Sequence, residues 1–262
     1  MNKLAGHTNT YHTYGFIDAL AGISAAGFHY VELSAVPGWT EHVSLDDVGD
    51  IESLLRSHGL EAVSLSAHSD LTTREGVGHC LRAIGWAADL GLPIVNTAIG
   101  GHAGGEEDEI AFLGNMEELA EAADKAGITI GLEIHGEVMS SGHKAMALME
   151  RIGRSSIGVN YDTANVEYYS GRRAVDDLPE VLPHVVSVHL KDKVGGQGAW
   201  DFPPLGSGHV DFAKILRILR DSDYSGPLSV ELEFQGEPWP GLEQVNQSMR
   251  RSYEHLTTLG LF

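Results

Sequence analysis

The sequence predicts an α/β fold, a single-domain (β/α)8 TIM barrel occupying residues 1–262. Three observations predict it. Segments of strand period alternate with segments of helix period along the whole chain, and the alternation repeats eight times. No Gly-rich GxGxxG turn opens a helical segment, which argues against an open, doubly wound dinucleotide-binding sheet. No linker, low-complexity tract or shift in composition marks a boundary, so one domain is the simplest division.

The elements follow in order. A short first strand around "AGHTN" (5–9) precedes the helical "GFIDALAGISAAG" (15–27), the strand "HYVELS" (29–34) and the helical "LDDVGDIESLLRSHG" (45–59). Next come "EAVSLSAH" (61–68) with "GVGHCLRAIGWAADLG" (76–91), and "PIVNTAI" (93–99) with "GNMEELAEAADKAG" (114–127). The fifth strand, "ITIGLEI" (128–134), is followed by "GHKAMALMERIG" (142–153). The sixth, "IGVNYD" (157–162), has the least plainly helical link, placed near "AVDDLPEV" (174–181). "VVSVHLK" (185–191) leads to "VDFAKILRILRDSD" (210–223), and "LSVELEF" (228–234) to "LEQVNQSMRRSYEHLTTLG" (242–260). Several helical segments close on Gly or are followed by Pro, the residues that end helices.

Composition bounds the partners. The chain is 42% hydrophobic and 21% charged, which suits a globular protein with a sizeable core. Its 17 Lys and Arg against 37 Asp and Glu give a formal charge of -20, so its field repels nucleic acid and anionic membranes. A lone cysteine, Cys80, excludes an intrachain disulfide and a cysteine zinc cluster. The opening "MNKLAGHTNTYHTYG" lacks the apolar core of a signal peptide, and no apolar run approaches membrane-spanning length. A cytoplasmic location is the resulting expectation.

Function shows at the strand ends. Side chains along a strand alternate between faces, so Thr129, Gly131, Glu133 and His135 share one face, and Ile128, Ile130, Leu132 and Ile134 share the other. The apolar face suits packing against helices. The face carrying Glu133 needs polar surroundings, because an unpaired buried carboxylate is costly. The same parity groups Ser64, Ser66 and His68 on the third strand and Gly158, Asn160 and Asp162 on the sixth. It groups Ser187, His189 and Lys191 on the seventh, and Ser229, Glu231 and Glu233 on the eighth. Each set runs from small to functional toward the C-terminal strand end, where barrel active sites lie. One such end facing solvent is ordinary; four together describe a walled cavity with a functional rim.

Three converging carboxylates, Glu133, Asp162 and Glu231, raise one another's pKa unless a cation neutralises them. With the His189 imidazole they suit one divalent metal ion, Mn2+ first among Mn2+, Mg2+, Co2+ and Zn2+.

The motifs "LEIHG", "NYDTAN", "SVHLKDK", "PPLGSGHVDF" and "LSVELEF" follow one another on successive strand ends and the loops after them. In them the chain resembles, over essentially its whole length, the xylose isomerase-like TIM barrel superfamily, the sugar phosphate isomerase/epimerase family. The resemblance implies Glu133, Asp162, His189 and Glu231 as metal ligands, with Glu133 and Glu231 also shuttling protons, one from each substrate face. The implied activity is metal-dependent isomerisation or epimerisation of a ketose or keto sugar by alpha-proton abstraction through an enediolate. Substrate-binding candidates are His68, His135, Asn165 and Lys191. Asn165 departs from the several family epimerases that carry a histidine there; an amide can orient a hydroxyl but cannot act as a base.

That departure keeps lyases of the same superfamily as the alternative, either a keto-inositol dehydratase or an enzyme cleaving a 3-keto C-glycoside. An apurinic endonuclease would need clustered metals and a basic groove, and a non-catalytic sugar-binding barrel would not need an intact ligand set. The expected partner is a small-molecule sugar, with no nucleic acid and no membrane; self-association as a homo-oligomer stays open. Around the rim, "GGQGAWDFPPLGSG" is long enough for a lid, with Trp200 or Phe202 against a sugar's apolar face, and Trp39 and His42 are candidate pocket walls. Lys191, Lys193, Arg172 and Arg173 are the few cations nearby, which favours an unphosphorylated sugar.

Overall fold

The computed structural model describes residues 2–100 and 104–260. Eight parallel strands form the barrel: β1 (Leu4–His7), β2 (Tyr30–Val36), β4 (Glu61–Ser66), β5 (Ile94–Thr97), β6 (Thr129–Glu133), β7 (Ile157–Asp162), β8 (Val185–Leu190) and β9 (Leu228–Val230). A two-residue strand, β3 (Thr40–Glu41), folds back antiparallel onto β2. Closure is made by β1, which pairs with β2 at His7↔Glu32 and with β9 at Ala5↔Ser229.

Each strand returns through a helix: α1 (Phe16–Ala26), α2 (Ile51–Ser57), α3 (Arg74–Leu90), α4 (Glu106–Ala126), α5 (Gly142–Ile152), α6 (Asn165–Ser170), α7 (Ala174–Val181), α8 (Phe212–Asp221) and α9 (Leu242–Thr258). Thr73, Ser141 and Asp211 open α3, α5 and α8 by accepting backbone N–H bonds three residues on. Gly127 closes α4 at φ 68, a left-handed turn that a Cβ would strain.

Alternation divides the core. Outward residues such as Leu33, Leu65, Ile130, Leu132, Val159, Val188 and Val230 are fully buried under Leu20, Ile23, Leu119 and Ile215 of the helices. The inward face is polar and also buried: Glu32, Ser64, Asn96, Glu133, Asn160, Asp162, Ser187, His189 and Ser229. Gly131 is the small member of this layer because a Cβ there would lie 2.2 Å from the Asn96 Oδ1.

Boundaries differ from the sequence expectation where side chains compete with the ladder or the helix. Residues 45–50 turn rather than start α2, since the Ser44 Oγ and Asp47 Oδ1 accept the backbone N–H groups of Asp46 and Gly49. α4 begins at Glu106 rather than Gly114; its four acidic first-turn residues suit a helix N-terminus but carry no apolar period. β9 ends at Val230, beyond which Leu232 donates its N–H to the Thr10 hydroxyl instead of a strand. Among the described residues no helix is long and apolar enough to cross a membrane.

Candidate metal centre and active site

Glu133 closes β6, Asp162 closes β7, His189 lies in β8 and Glu231 directly follows β9. The inward face of each strand sends these side chains to one point. A ligand atom from each of the four lies within 4.8 Å of the others, and all four residues are buried. The His189 Nδ1 is 3.1 Å from the Glu133 Oε2 and 3.5 Å from the Glu231 Oε2. Asp162 is oriented by its own turn, where the Oδ1 accepts the N–H groups of Ala164 and Asn165 at 2.8 Å. The Asp162 Oδ2 and the His189 Nδ1 are buried without a hydrogen-bond partner. Such orphaned donor atoms, in a set of three carboxylates and one imidazole, fit a divalent cation.

The two glutamates are held differently. The Glu133 Oε1 accepts from the Asn165 Nδ2 at 2.8 Å, and its Oε2 lies 3.1 Å from the His68 Nε2 and accepts from the Asn160 Nδ2 at 3.2 Å. The Glu231 Oε1 accepts from the Asn9 Nδ2 at 2.8 Å and lies 3.0 Å from the His7 Nδ1. Its Oε2 accepts from the Lys191 Nζ at 3.1 Å, and that ammonium also pairs with Glu233 at 2.6 Å and Asp162 at 3.6 Å. Above this cluster opens a cavity of about 300 Å³, whose walls include Glu133, Glu231, Lys191, His68, His135, Asn165, Trp39 and Trp200.

The xylose isomerase-like TIM barrel profile matches residues 20–257. The chain belongs to that family. Among curated relatives it is 27% identical over 233 residues to the L-ribulose 3-epimerase of Methylomonas sp. (strain DH-1), covering 81% of this chain and 77% of that one. It is 24% identical over 249 residues to the L-ribulose-5-phosphate 3-epimerase of Shigella flexneri serotype 5b (strain 8401), covering 88% and 86%. A solved L-ribulose 3-epimerase superposes with a TM-score of 0.80 at 22% identity, over 100% of this chain and 95% of that one, which shows the shared fold.

In this family member the charges at the strand ends are strongly interdependent. Burial raises the Glu133 carboxyl, but His68 and His189 outweigh it and hold the group well below the usual carboxylate range. For Glu231 burial is likewise outweighed, by Lys191 and His189. Asp162 is pushed up to about 6, by burial first and by Glu133 and Glu231 next, against the pull of Lys191. Burial, together with Glu231, pushes Glu233 up to about 7 despite Lys191. Two ionised glutamates therefore stand beside two carboxyls that hold protons much more readily.

The rim corrects several sequence expectations. Trp200 lines the cavity, but Phe202 is buried beneath it, with the Lys191 Nζ 4.7 Å from its ring centroid. Trp39 is a wall, held by its Nε1–H on the Asn9 Oδ1 and stacked on His12 at 3.7 Å. His42 is not a wall: its Nε2 is 3.0 Å from the Tyr14 carbonyl and its ring packs on Phe16. Lys191 is a buried ion-pair partner that also faces the cavity. His135 lies on the cavity wall, with its Nε2 2.8 Å from the Tyr169 hydroxyl. The sequence reading missed His7, Asn9 and Glu32. Alternation in "HYVELS" was the available signal for Glu32, since Val31 and Leu33 mark the outer face.

Proposed function

We propose that this chain is a divalent-metal-dependent epimerase acting at the carbon alpha to the carbonyl of an unphosphorylated ketose or keto sugar. The observation that carries this is the pair Glu133 and Glu231, two buried carboxylates held ionised by His68 on one side, Lys191 on the other and His189 between them, beside the orphaned Asp162 Oδ2 and His189 Nδ1. Glu133, Asp162, His189 and Glu231 would hold the ion, with Mn2+ the first candidate for an oxygen-rich set with one imidazole. When bound, the ion supplies Lewis-acid stabilisation of charge on substrate oxygens.

The rest falls to the protein. A proton alpha to a carbonyl is weakly acidic, so a carboxylate must be fixed within hydrogen-bond reach of it. Asn165 and His68 hold the two oxygens of Glu133 and fix its rotamer. Asn9, His7 and Lys191 do the same for Glu231. One glutamate, ionised, removes the proton from one face and the enediolate forms; the other, having first taken up a proton from solvent, returns that proton to the opposite face with inverted configuration, and the first then releases its proton to solvent. Asn165 orients rather than titrates. Trp39 and Trp200 offer apolar faces to the sugar ring.

The relative from Shigella flexneri acts, by its name, on a phosphorylated sugar. Here Lys191 is the only Lys or Arg among the described cavity-lining residues, and three carboxylates already surround it. Arg172 is engaged by Asp177 and Glu180, and the Lys193 Nζ by the carbonyls of Val194 and Ala199. With no unpaired cation among these, an unphosphorylated substrate is favoured.

The test is incubation of a panel of free ketoses, ketose phosphates and 3-keto sugars in heavy water with Mn2+, followed by chromatography and mass spectrometry. The expected result is an epimer carrying one deuterium. Loss of water or of an aglycone would replace the epimerase with a lyase, and absence of exchange with every sugar would overturn the enzymatic assignment.

A further inference from the structure

Glu32 lies on the inner face of β2 and is fully buried, below the cavity and outside its walls. It cannot touch substrate. Both of its oxygens are engaged inside the barrel: the Oε1 accepts from the Asn96 Nδ2 at 2.7 Å, and the Oε2 lies 3.1 Å from the His189 Nε2. Asn96 is anchored in turn, its Oδ1 accepting from the Ser187 hydroxyl at 2.7 Å, in the space that Gly131 leaves by lacking a Cβ.

The direction of the Glu32–His189 bond follows from donor chemistry. A carboxylate only accepts, so a lone pair on the His189 Nε2 would face the Glu32 Oε2 repulsively, whereas an N–H there makes a charge-assisted bond. The Asn160 Nδ2 also lies 3.1 Å from the Nε2, but it has a second acceptor in the Glu133 Oε2 at 3.2 Å and does not depend on the ring. With the hydrogen on Nε2, the neutral ring, the form that ligates a metal ion, carries its lone pair on the opposite nitrogen, Nδ1. That nitrogen is the one facing Glu133 and Glu231 without a hydrogen-bond partner.

We propose that Glu32 is the positioning residue of the centre: it fixes the ring of His189 and the hydrogen on Nε2, so that Nδ1 presents its lone pair to the metal ion. This rests on the metal set proposed above. Carboxylates that orient a ligating imidazole from its far side govern affinity as well as geometry.

The experiment is calorimetric titration of the metal-stripped protein with Mn2+ for the wild type, Glu32→Gln and Glu32→Leu. Glu32→Leu should weaken Mn2+ binding about 10- to 100-fold. Glu32→Gln, which retains an acceptor oxygen, should recover part of the loss. Folded variants with wild-type Mn2+ affinity would overturn the proposal, even if their melting temperatures fall, because a merely structural role moves stability alone. A measurement without substitution guards against misfolding: 15N-histidine NMR of the Mg2+-loaded wild type, with His189 assigned by difference from His189→Gln. A hydrogen on Nε2 and none on Nδ1 is expected, and a hydrogen on Nδ1 would overturn the proposal. A wild type that binds neither ion would overturn the metal set itself, an outcome distinct from unchanged affinity in the variants.

Discussion

The two flanks of the centre use the same residue type in unlike surroundings. Glu133 is bounded by two amides and two imidazoles and by no ammonium, whereas Glu231, beside one amide and two imidazoles, also meets an ammonium that a further carboxylate, Glu233, claims. A flank built on Lys191 is a fixed ionic cluster, because a buried ammonium has no neutral state to fall back on when its pKa is raised well above the ordinary lysine value by Glu231, Glu233 and Asp162 against its burial. A flank built on imidazole and amide can rearrange its hydrogen bonds. The difference teaches that the two proposed bases are unequal, and each expected outcome below tests that inequality.

The largest effect concerns the bases themselves. Glu133→Gln and Glu231→Gln should each lower turnover by about 10²- to 10⁴-fold. Deuterium exchange measured separately from each epimer should survive in a different epimer for each variant. Equal residual exchange from both epimers in both variants would erase the distinction between flanks.

Next in size is the cation. Lys191→Met leaves buried carboxylates unpaired and should destabilise the metal-free protein by about 3–5 kcal/mol in urea denaturation. His68→Gln, which removes one ion-pair partner from the other flank, should cost less, about 1–3 kcal/mol. The reverse order would place the rigid cluster on the wrong side.

Acid–base behaviour sharpens the contrast. Glu233, pushed up to about 7 in the folded state from an ordinary value of 4.5, binds its proton more tightly folded than unfolded. It therefore lowers the stability of the metal-free protein as pH rises from 4.5 through about 7. Glu233→Gln should flatten that part of the stability–pH curve. Beside His189 the sign is opposite: burial raises the Glu32 carboxyl, but His189 and His7 outweigh it and hold it down to about 2. Its stabilisation is complete above 4.5 and is lost as pH falls through about 2, and Glu32→Gln should remove that acid limb.

The smallest effects are expected at the rim. Trp39→Phe deletes the N–H that holds Asn9 beside Glu231, and Tyr169→Phe deletes the hydroxyl beside His135 near Glu133. Each should change steady-state kinetics by about 2- to 10-fold, chiefly in KM, since one hydrogen bond contributes roughly a kcal/mol.

Much of this was legible along the chain. Period-2 alternation in "ITIGLEI" and "VVSVHLK" puts Glu133 and His189 inward, and the least regular link still contained a helix at Ala174–Val181. The short strand β3, the early start of α4 and the early end of β9 were not legible, because each depends on side-chain or charge effects that leave no apolar period.

By itself the sequence determined the barrel, the order of its elements and which face of each strand turns inward, because alternation and helical period are local properties of the backbone. It also determined that carboxylates and an imidazole reach the strand ends. Only the tertiary structure decided which donors meet. Glu32 is separated from His189 by 157 positions, and Asn9 from Glu231 by 222, distances over which no local pattern operates. Closure of β1 onto β9 brings such pairs within hydrogen-bond reach, and burial then fixes their charges. The partner of each glutamate, and with it the inequality of the two flanks, is therefore a property of the closed barrel.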